Sequence, residues 1–296
     1  MARIGVLGLG MMGTGIAQNL LSKHHEVHVY NRTQSKMSAL VELGAVPHRT
    51  PAELGRVVDI AITMVTDERA VEAVAFGEDG LLQGLRAGSL WMDMSTIDPD
   101  ASIRHARECT ARGVLRLDAP VMGGPRLARE GALTLLVGGR RDVYEAYQDI
   151  LRQLGREVIY LGGDGSGHRM KLALNLYLAL KSIAFAEALT FAQKLGFEPG
   201  TFVDALNRTH LKSGFTETKG VSVSRGEYSP TFPLRMMMKD ILLADEQAKR
   251  RGMALLLTGL ARQLYGAAST EGLAELDYTA ITLVVQRLNG IHRYGG

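Results

Sequence analysis

The stretch IGVLGLGMMGTGIAQNLL limits what this chain can fold into more than any other. It places Gly8-x-Gly10-x-x-Gly13 between an apolar, strand-like run and a helix-like one. Glycines at this spacing give a tight turn, let the backbone approach a pyrophosphate, and let helix pack close on strand, with the helix N-terminus facing the anion. Alone such a fingerprint is weak, but here it opens a series. EVHVY, DIAITMV, SLWMDM, VLRLDAP, LTLLVGG and REVIYLG are strand-like runs separated by helix-like segments up to about residue 161. That alternation predicts an α/β N-terminal half with a mostly parallel, Rossmann-type doubly wound sheet.

After Gly167 the strand signals stop. Residues 168–195 have helical length and apolar side chains nearly all round, which implies burial on most sides. At 1.5 Å per residue the helix is about 40 Å long. Asp164 or Ser166 suits its start, and Gly196 with Pro199 supplies its stop. From 199 to about 290 the chain is again helix-like. The expected organisation is a nucleotide-binding domain over residues 1–163 and an all-α C-terminal domain over 164–296 that includes a long interdomain helix at about 168–195.

A length of 296 residues agrees with two domains. Lys plus Arg number 34 against 31 Asp plus Glu, without a long basic run, so nucleic acid is not an expected partner. Cys109 is the only cysteine, which excludes an internal disulfide and a cysteine-based zinc site. Histidines and carboxylates form no cluster at ligand spacing, so no metal is expected. The opening MARIGVLGLG lacks a signal-like apolar run, and no stretch reads as long and charge-free enough to span a bilayer. A soluble cytoplasmic protein with no membrane partner is expected.

The cofactor site is read from the fingerprint, Gly8, Leu9, Gly10, Met11, Met12 and Gly13, and from the end of the second strand. There an NAD-binding chain normally carries Asp or Glu for the ribose hydroxyls. This chain has VYNRT, so Asn31, Arg32 and Thr33 offer donors and a fixed positive charge without a repelling carboxylate. An arginine fork suits a phosphate monoester, which favours NADP, with NAD weaker. The alternative is a solvated Arg32 beside the start of a helix at Gln34. MVTD and MSTI each follow a strand, so Thr66 and Thr96 are positioned for the cofactor and Ser95 for the substrate; equally, Ser95 and Thr96 suit a helix cap before Pro99. In DAPVMGGPR, Gly123 and Gly124 expose N–H groups that suit a carboxylate, or make an ordinary tight turn.

Four motifs in order, GLGMMGTGIAQNL, DAPVMGG, GSGHRMKLALN and the Lys239-Asp240 pair of MMMKDILLA, resemble the β-hydroxyacid dehydrogenases. That family includes 3-hydroxyisobutyrate dehydrogenase and the glyoxylate and succinic semialdehyde reductases. The resemblance spans residues 4 to about 245, with a compatible helical tail. It implies that Lys171 is the catalytic lysine with Asn175 its partner at the substrate, and that Gly123 and Gly124 bind the substrate carboxylate. It also implies that Lys239, paired with Asp240, lies against the cofactor, and that Met64, Val65 and Thr96 contact it. Met122 departs from the serine usual in the family's substrate loop, and a thioether donates no hydrogen bond.

Hydride transfer to or from an alcohol carbon requires a proton to move on or off the substrate oxygen. The i, i+4 spacing places Lys171 and Asn175 side by side on a helix, suited to one oxygen. Lys171 is then the general acid in reduction and the base in oxidation, which favours alkaline conditions for the latter. His168 is expected at the helix entrance on another face, Arg126 in solvent, and Phe215 either as a lid over the pocket or in the core. The reading is an NADP-preferring oxidoreductase for a small 3-hydroxy acid and its semialdehyde. Alternatives are a succinic semialdehyde or glyoxylate-type reductase, an L-serine or glycerate-type dehydrogenase, and, in another class, a non-enzymatic NADP-binding scaffold. Covering the apolar long helix suggests a homodimer or homotetramer.

Overall fold

The computed structural model describes residues 2–291. Its strands, in chain order, are β1 Arg3–Leu7, β2 Glu26–Tyr30, β3 Val46–Pro47, β4 Ile60–Thr63, β5 Leu90–Asp93, β6 Leu115–Asp118, β7 Val121–Met122, β8 Leu133–Gly139 and β9 Gly155–Tyr160. Alternate residues of the central strands point to opposite faces, and both faces are apolar. Ile4, Val6, Ile60, Ile62, Leu90 and Met92 enter one buried cluster; Leu7, Ala61 and Trp91 enter another. Two-sided burial with helical crossovers is the condition under which parallel strands persist. Each such large side chain contributes about 1.5–3 kcal/mol relative to exposure.

The spatial order is β3-β2-β1-β4-β5-β6-β8-β7, with β9 also paired to β8. From β3 to β6 the pairs are parallel, in a register that aligns Val6 with Val29 and Ile62, Ile62 with Met92, and Met92 with Leu117. β8 runs antiparallel to β6 and β7, and parallel to β9. The chain leaves β1 in one direction towards β2 and returns to its other side at β4. This reversal puts a topological switch point at the carboxyl ends of β1 and β4, where ligands of such sheets bind. The two-residue strands β3 and β7 escaped the sequence reading because they are too short to show a period of two.

The chain divides into two compact units, one up to Lys171 and one from Leu172. The sequence alone places the division at 163/164, ahead of the long helix. The first turn of that helix belongs with the sheet because the Asp118 carboxylate at the end of β6 accepts from the N–H groups of Gly165 (2.8 Å) and His168 (3.2 Å). Asp118 therefore serves the helix start, from 50 residues upstream of His168, in the place expected for Asp164 or Ser166. The helix runs Ser166–Lys194, 29 residues, and Gly196 at φ +90° follows its end.

Length and composition would allow this helix to cross a bilayer, contrary to the sequence reading. Protein packing covers part of its apolar surface. Ala179 and Ile183 lie in one core of the second unit with Leu234, Met237, Ile241, Tyr265 and Ile281; Phe185 and Leu189 lie in another with Val203 and Val223. The other main helices of that unit are Pro199–Asn207, Leu234–Arg250, Leu256–Thr270 and Ile281–Leu288.

Candidate active site

The fingerprint loop joins β1 to the helix Met11–Ser22. Gly8 has φ +97°, and a Cβ there would lie 2.4 Å from the Met64 carbonyl oxygen. A Cβ on Gly13 would lie 1.9 Å from the Gly8 carbonyl oxygen, so Gly13 lets the helix close on the strand. A Cβ on Gly10 would meet nothing within 4 Å. Gly10 is also the N-cap and makes no side-chain cap bond. The N–H groups of Met11, Met12 and Gly13 in the first helical turn have no intrahelical acceptor. Open space in front of these first-turn donors fits a dinucleotide pyrophosphate.

Leu9 and Asn31 are tied to each other within the protein. Leu9 buries its side chain in the sheet core, and its N–H donates to Asn31 Oδ1 at 2.9 Å. Asn31 Nδ2 donates to the Thr33 carbonyl at 2.9 Å. Asn31 thus braces the loop, and both polar ends of its amide are engaged within the protein. Arg32 and Thr33 are exposed just beyond β2.

At the next strand ends, the Ser95 hydroxyl accepts from the Val65 N–H at 3.1 Å. Met64 and Val65 are half-buried beside the fingerprint, and a Cβ on Gly8 would lie 2.7 Å from Val65 Cγ1. Thr66 is exposed, with its hydroxyl 3.3 Å from Asp67 Oδ2. The capping alternative for Ser95 and Thr96 falls, because Asp98 caps the helix Pro99–Ala111 through the N–H groups of Asp100 and Ala101.

Lys171 is buried, and its Nζ donates to the Val121 carbonyl at 2.7 Å and lies 3.2 Å from Met122 Sδ. The short strand β7 therefore brings the ammonium group to the start of the Gly123-Gly124 turn. Gly123 has φ +124°, and a Cβ on Gly124 would meet nothing within 4 Å. Arg126 pairs with Glu130 at 2.9 Å in solvent.

In the second unit Asn175 Nδ2 donates to Asp240 Oδ2 at 2.6 Å, and Lys239 Nζ pairs with Asp240 Oδ1 at 2.9 Å. Asn175 Oδ1 is buried and has no protein hydrogen-bond partner among the described residues, an acceptor left for a hydroxyl or amide of a ligand. Lys171 closes the first unit and Asn175 belongs to the second. Phe215 is half-buried and packs edge-on against Phe185, ring centroids 5.4 Å apart, at the border of the helical cores.

Residues 3–162 match the family described as the NAD binding domain of 6-phosphogluconate dehydrogenase, and 165–285 match that described as NAD-binding of NADP-dependent 3-hydroxyisobutyrate dehydrogenase. The chain is 34% identical to glyoxylate/succinic semialdehyde reductase 2, chloroplastic, of Arabidopsis thaliana, over 94% of this chain and 78% of that protein. It belongs to the β-hydroxyacid dehydrogenase family. Members of this family are NAD(P)-dependent oxidoreductases that act on small molecules. The fold also matches the crystal structure of 3-hydroxyisobutyrate dehydrogenase from Salmonella typhimurium, at a TM-score of 0.88 and 26% identity, over 96% of this chain and 100% of that one. A further relative, the human cytokine-like nuclear factor N-PAC, is 34% identical over 94% of this chain, which spans 50% of its length.

One functional group lay beyond sequence reading. Asp118 was visible inside DAPVMGG, yet nothing in the spacing showed that it holds the start of the lysine-bearing helix.

Proposed function

We propose that this family member is an NADP-preferring dehydrogenase that interconverts a small 3-hydroxy acid and its semialdehyde, with Lys171 as general acid in reduction and general base in oxidation. The observation that carries this reading is the buried Lys171 ammonium held at 2.7 Å on the Val121 carbonyl, beside the Gly123-Gly124 turn. An ammonium fixed by a backbone carbonyl is aimed before substrate arrives, so it donates to a developing alkoxide with little reorganisation. The bound nicotinamide supplies or accepts the hydride. In oxidation Lys171 must be the neutral amine, so that direction speeds up as the solution becomes more alkaline.

The N–H groups of the Gly123-Gly124 turn are the proposed seat of the substrate carboxylate, and Asn175 the partner that orients the substrate. Lys239 is proposed to lie against the cofactor, with Met64, Val65 and Thr96. Arg32 supports the NADP preference: it is an exposed guanidinium at the end of β2, where no carboxylate stands among residues 31–33.

Met122 bears on the substrate. Its sulfur is 3.2 Å from Lys171 Nζ, so it adjoins whatever oxygen the ammonium meets. A thioether offers apolar contact and no donor. This supports semialdehydes whose neighbouring carbon bears hydrogen or methyl over serine or glycerate types with polar substituents. The similarity to a glyoxylate/succinic semialdehyde reductase supports the reductase alternative within the same chemistry.

Initial rates with NADPH and NADH against a panel of small aldehydes, and of the matching alcohols with NADP at alkaline pH, test the reading. Selective turnover of one semialdehyde or 3-hydroxy acid with the phosphorylated cofactor is expected. Tight NADPH binding with no turnover of any panel member would favour the scaffold alternative.

A further inference from the structure

Below the carboxyl ends of β4, β5 and β6 the first unit buries a cluster of polar and titratable groups that no part of the reaction uses directly. Asp93 closes β5, Arg116 and Asp118 lie in β6, and His168 lies in the first turn of the long helix; all four are buried. Arg116 donates to the Ser102 carbonyl (3.2 Å) and hydroxyl (3.0 Å) and reaches Asp93 Oδ2 at 3.4 Å. Its guanidinium sits 4.7 Å from the centroid of the Trp91 ring. Asp93 Oδ1 accepts from the Thr63 hydroxyl (2.9 Å) and the Ser95 N–H (3.1 Å).

His168 connects this cluster to the helix. Its Nε2 is 3.1 Å from the Ser95 carbonyl oxygen, and because a carbonyl only accepts, the ring carries a hydrogen on Nε2. Its Nδ1 faces Asp118 Oδ2 at 3.5 Å, and Asp93 Oδ2 stands 3.9 Å from Nε2. The charged and titratable groups around the ring are therefore Asp118 and Arg116 from β6, Asp93 from β5, and His105 from the helix Pro99–Ala111.

Burying ionised groups costs several kcal/mol per ion before pairing, and apolar side chains of like volume often serve stability as well. The location of the cluster indicates what it holds. Three segments meet on it: the loop after β4, through the Val65 N–H on the Ser95 hydroxyl; the loop after β5, through the Ser95 N–H and carbonyl; and the helix start, through His168 and Asp118. Lys171 follows His168 by three residues, less than one turn.

We infer that His168 is a positioning residue for the proposed hydride-transfer reaction. Its Nε2–H on the Ser95 carbonyl, with Asp118 behind it, sets the first turn of the long helix, and so the root of Lys171, against the loop after β5. The inference rests on the reading of Lys171 as the proton donor. Without the imidazole, Asp118 still holds the helical N–H groups, so the helix forms, but its tie to Ser95 is gone.

The test compares His168→Gln, His168→Asn, His168→Leu and Lys171→Ala by steady-state rates with NADPH and the preferred aldehyde, per NADPH-binding site, together with the solvent isotope effect on kcat. A glutamine amide nitrogen reaches the place of Nε2; an asparagine amide reaches only that of Nδ1. Asn and Leu are expected to lower kcat about 10- to 100-fold, as small misplacements of a reacting group do, with KM for NADPH changed less than about threefold. They should also raise the solvent isotope effect, as proton transfer from a displaced Lys171 becomes slow, and Gln should restore most of kcat. Parental kcat and isotope effect in the Asn variant would overturn the inference, as would a loss that Gln does not repair. If Leu fails to fold, the Asn and Gln pair decides. Turnover retained in Lys171→Ala would remove the reading of Lys171 and the positioning role with it. An inactive Lys171→Ala beside fully active His168 variants would remove the positioning role alone.

Discussion

Lys171 and Arg32 make opposite uses of solvent. Lys171 is buried and held on a carbonyl, so its value lies in fixed aim; its replacement by Ala should lower turnover about 10²- to 10⁴-fold, the usual contribution of a positioned acid or base. NADPH binding, followed by quenching of intrinsic fluorescence, should survive. Arg32 is exposed, and the role proposed for it is that of a charge. Arg32→Asp removes the proposed phosphate partner and restores a ribose-type carboxylate, so NADPH should bind roughly 10- to 100-fold more weakly, the range of a hydrogen bond to a charged group. NADH should be affected little. Equal losses for both cofactors in titration calorimetry would refute the phosphate assignment. Asn31 shows what sequence alone leaves out: its polar amide was visible, but the Leu9 N–H that its oxygen accepts from and the Thr33 carbonyl that its nitrogen donates to were not.

Among elements, the turn from β1 into the helix Met11–Ser22 separates folding from binding. At Gly13 an added methyl would meet the Gly8 carbonyl at 1.9 Å, so Gly13→Ala should destabilise the first unit severely or prevent its folding. At Gly10 the same methyl meets no protein atom within 4 Å, so Gly10→Ala should fold with a near-parental thermal midpoint yet bind either cofactor weakly. A Gly10→Ala protein that binds NADPH normally would show that the cradle is not the pyrophosphate site. The long helix gives the complementary case. Its length and its stop at Gly196 were legible because apolar composition and a glycine at positive φ are local properties. Its start was not, because Asp118 reaches it from another strand.

For the molecule as a whole, acid stability follows from the buried titratable groups. Burial, then the Arg116 charge, push His105 from its ordinary value near 6.5 down to about 4. The unfolded chain therefore takes up that proton below about pH 6.5, while the fold resists it until about 4. Stability is complete above this window and falls as the pH descends through it. Asp118 acts at lower pH. Burial raises its carboxyl, but the His168 ring, the Arg116 charge and the Gly165 N–H outweigh burial and hold it below the ordinary carboxylate range. Its contribution is present above the unfolded value, near 3.9, and is lost as the pH falls through the folded one. Urea midpoints should thus decline from pH 6.5 to 4, and His105→Phe should flatten that slope. A slope unchanged in the variant would assign the acid sensitivity elsewhere. The second unit also leaves Tyr177, Phe191, Leu195 and Phe197 exposed. We propose that they are covered by self-association into a dimer or tetramer; sedimentation velocity at micromolar concentration should show a species larger than one chain, and a monomer would count against it.

What the sequence determined by itself was whatever repeats along the chain or sits within one turn. The βα alternation, the glycine fingerprint, the all-helical second half and the i, i+4 placement of Lys171 and Asn175 all depend on neighbours a few residues apart. Tertiary structure decided what depends on distant segments meeting. It set Lys171 on Val121, Asn175 on Asp240, Phe215 against Phe185, and His168 between Asp118 and Ser95. The physical reason is that a buried polar group must find a partner wherever the packed chain supplies one, and the partner's position in the sequence is left free.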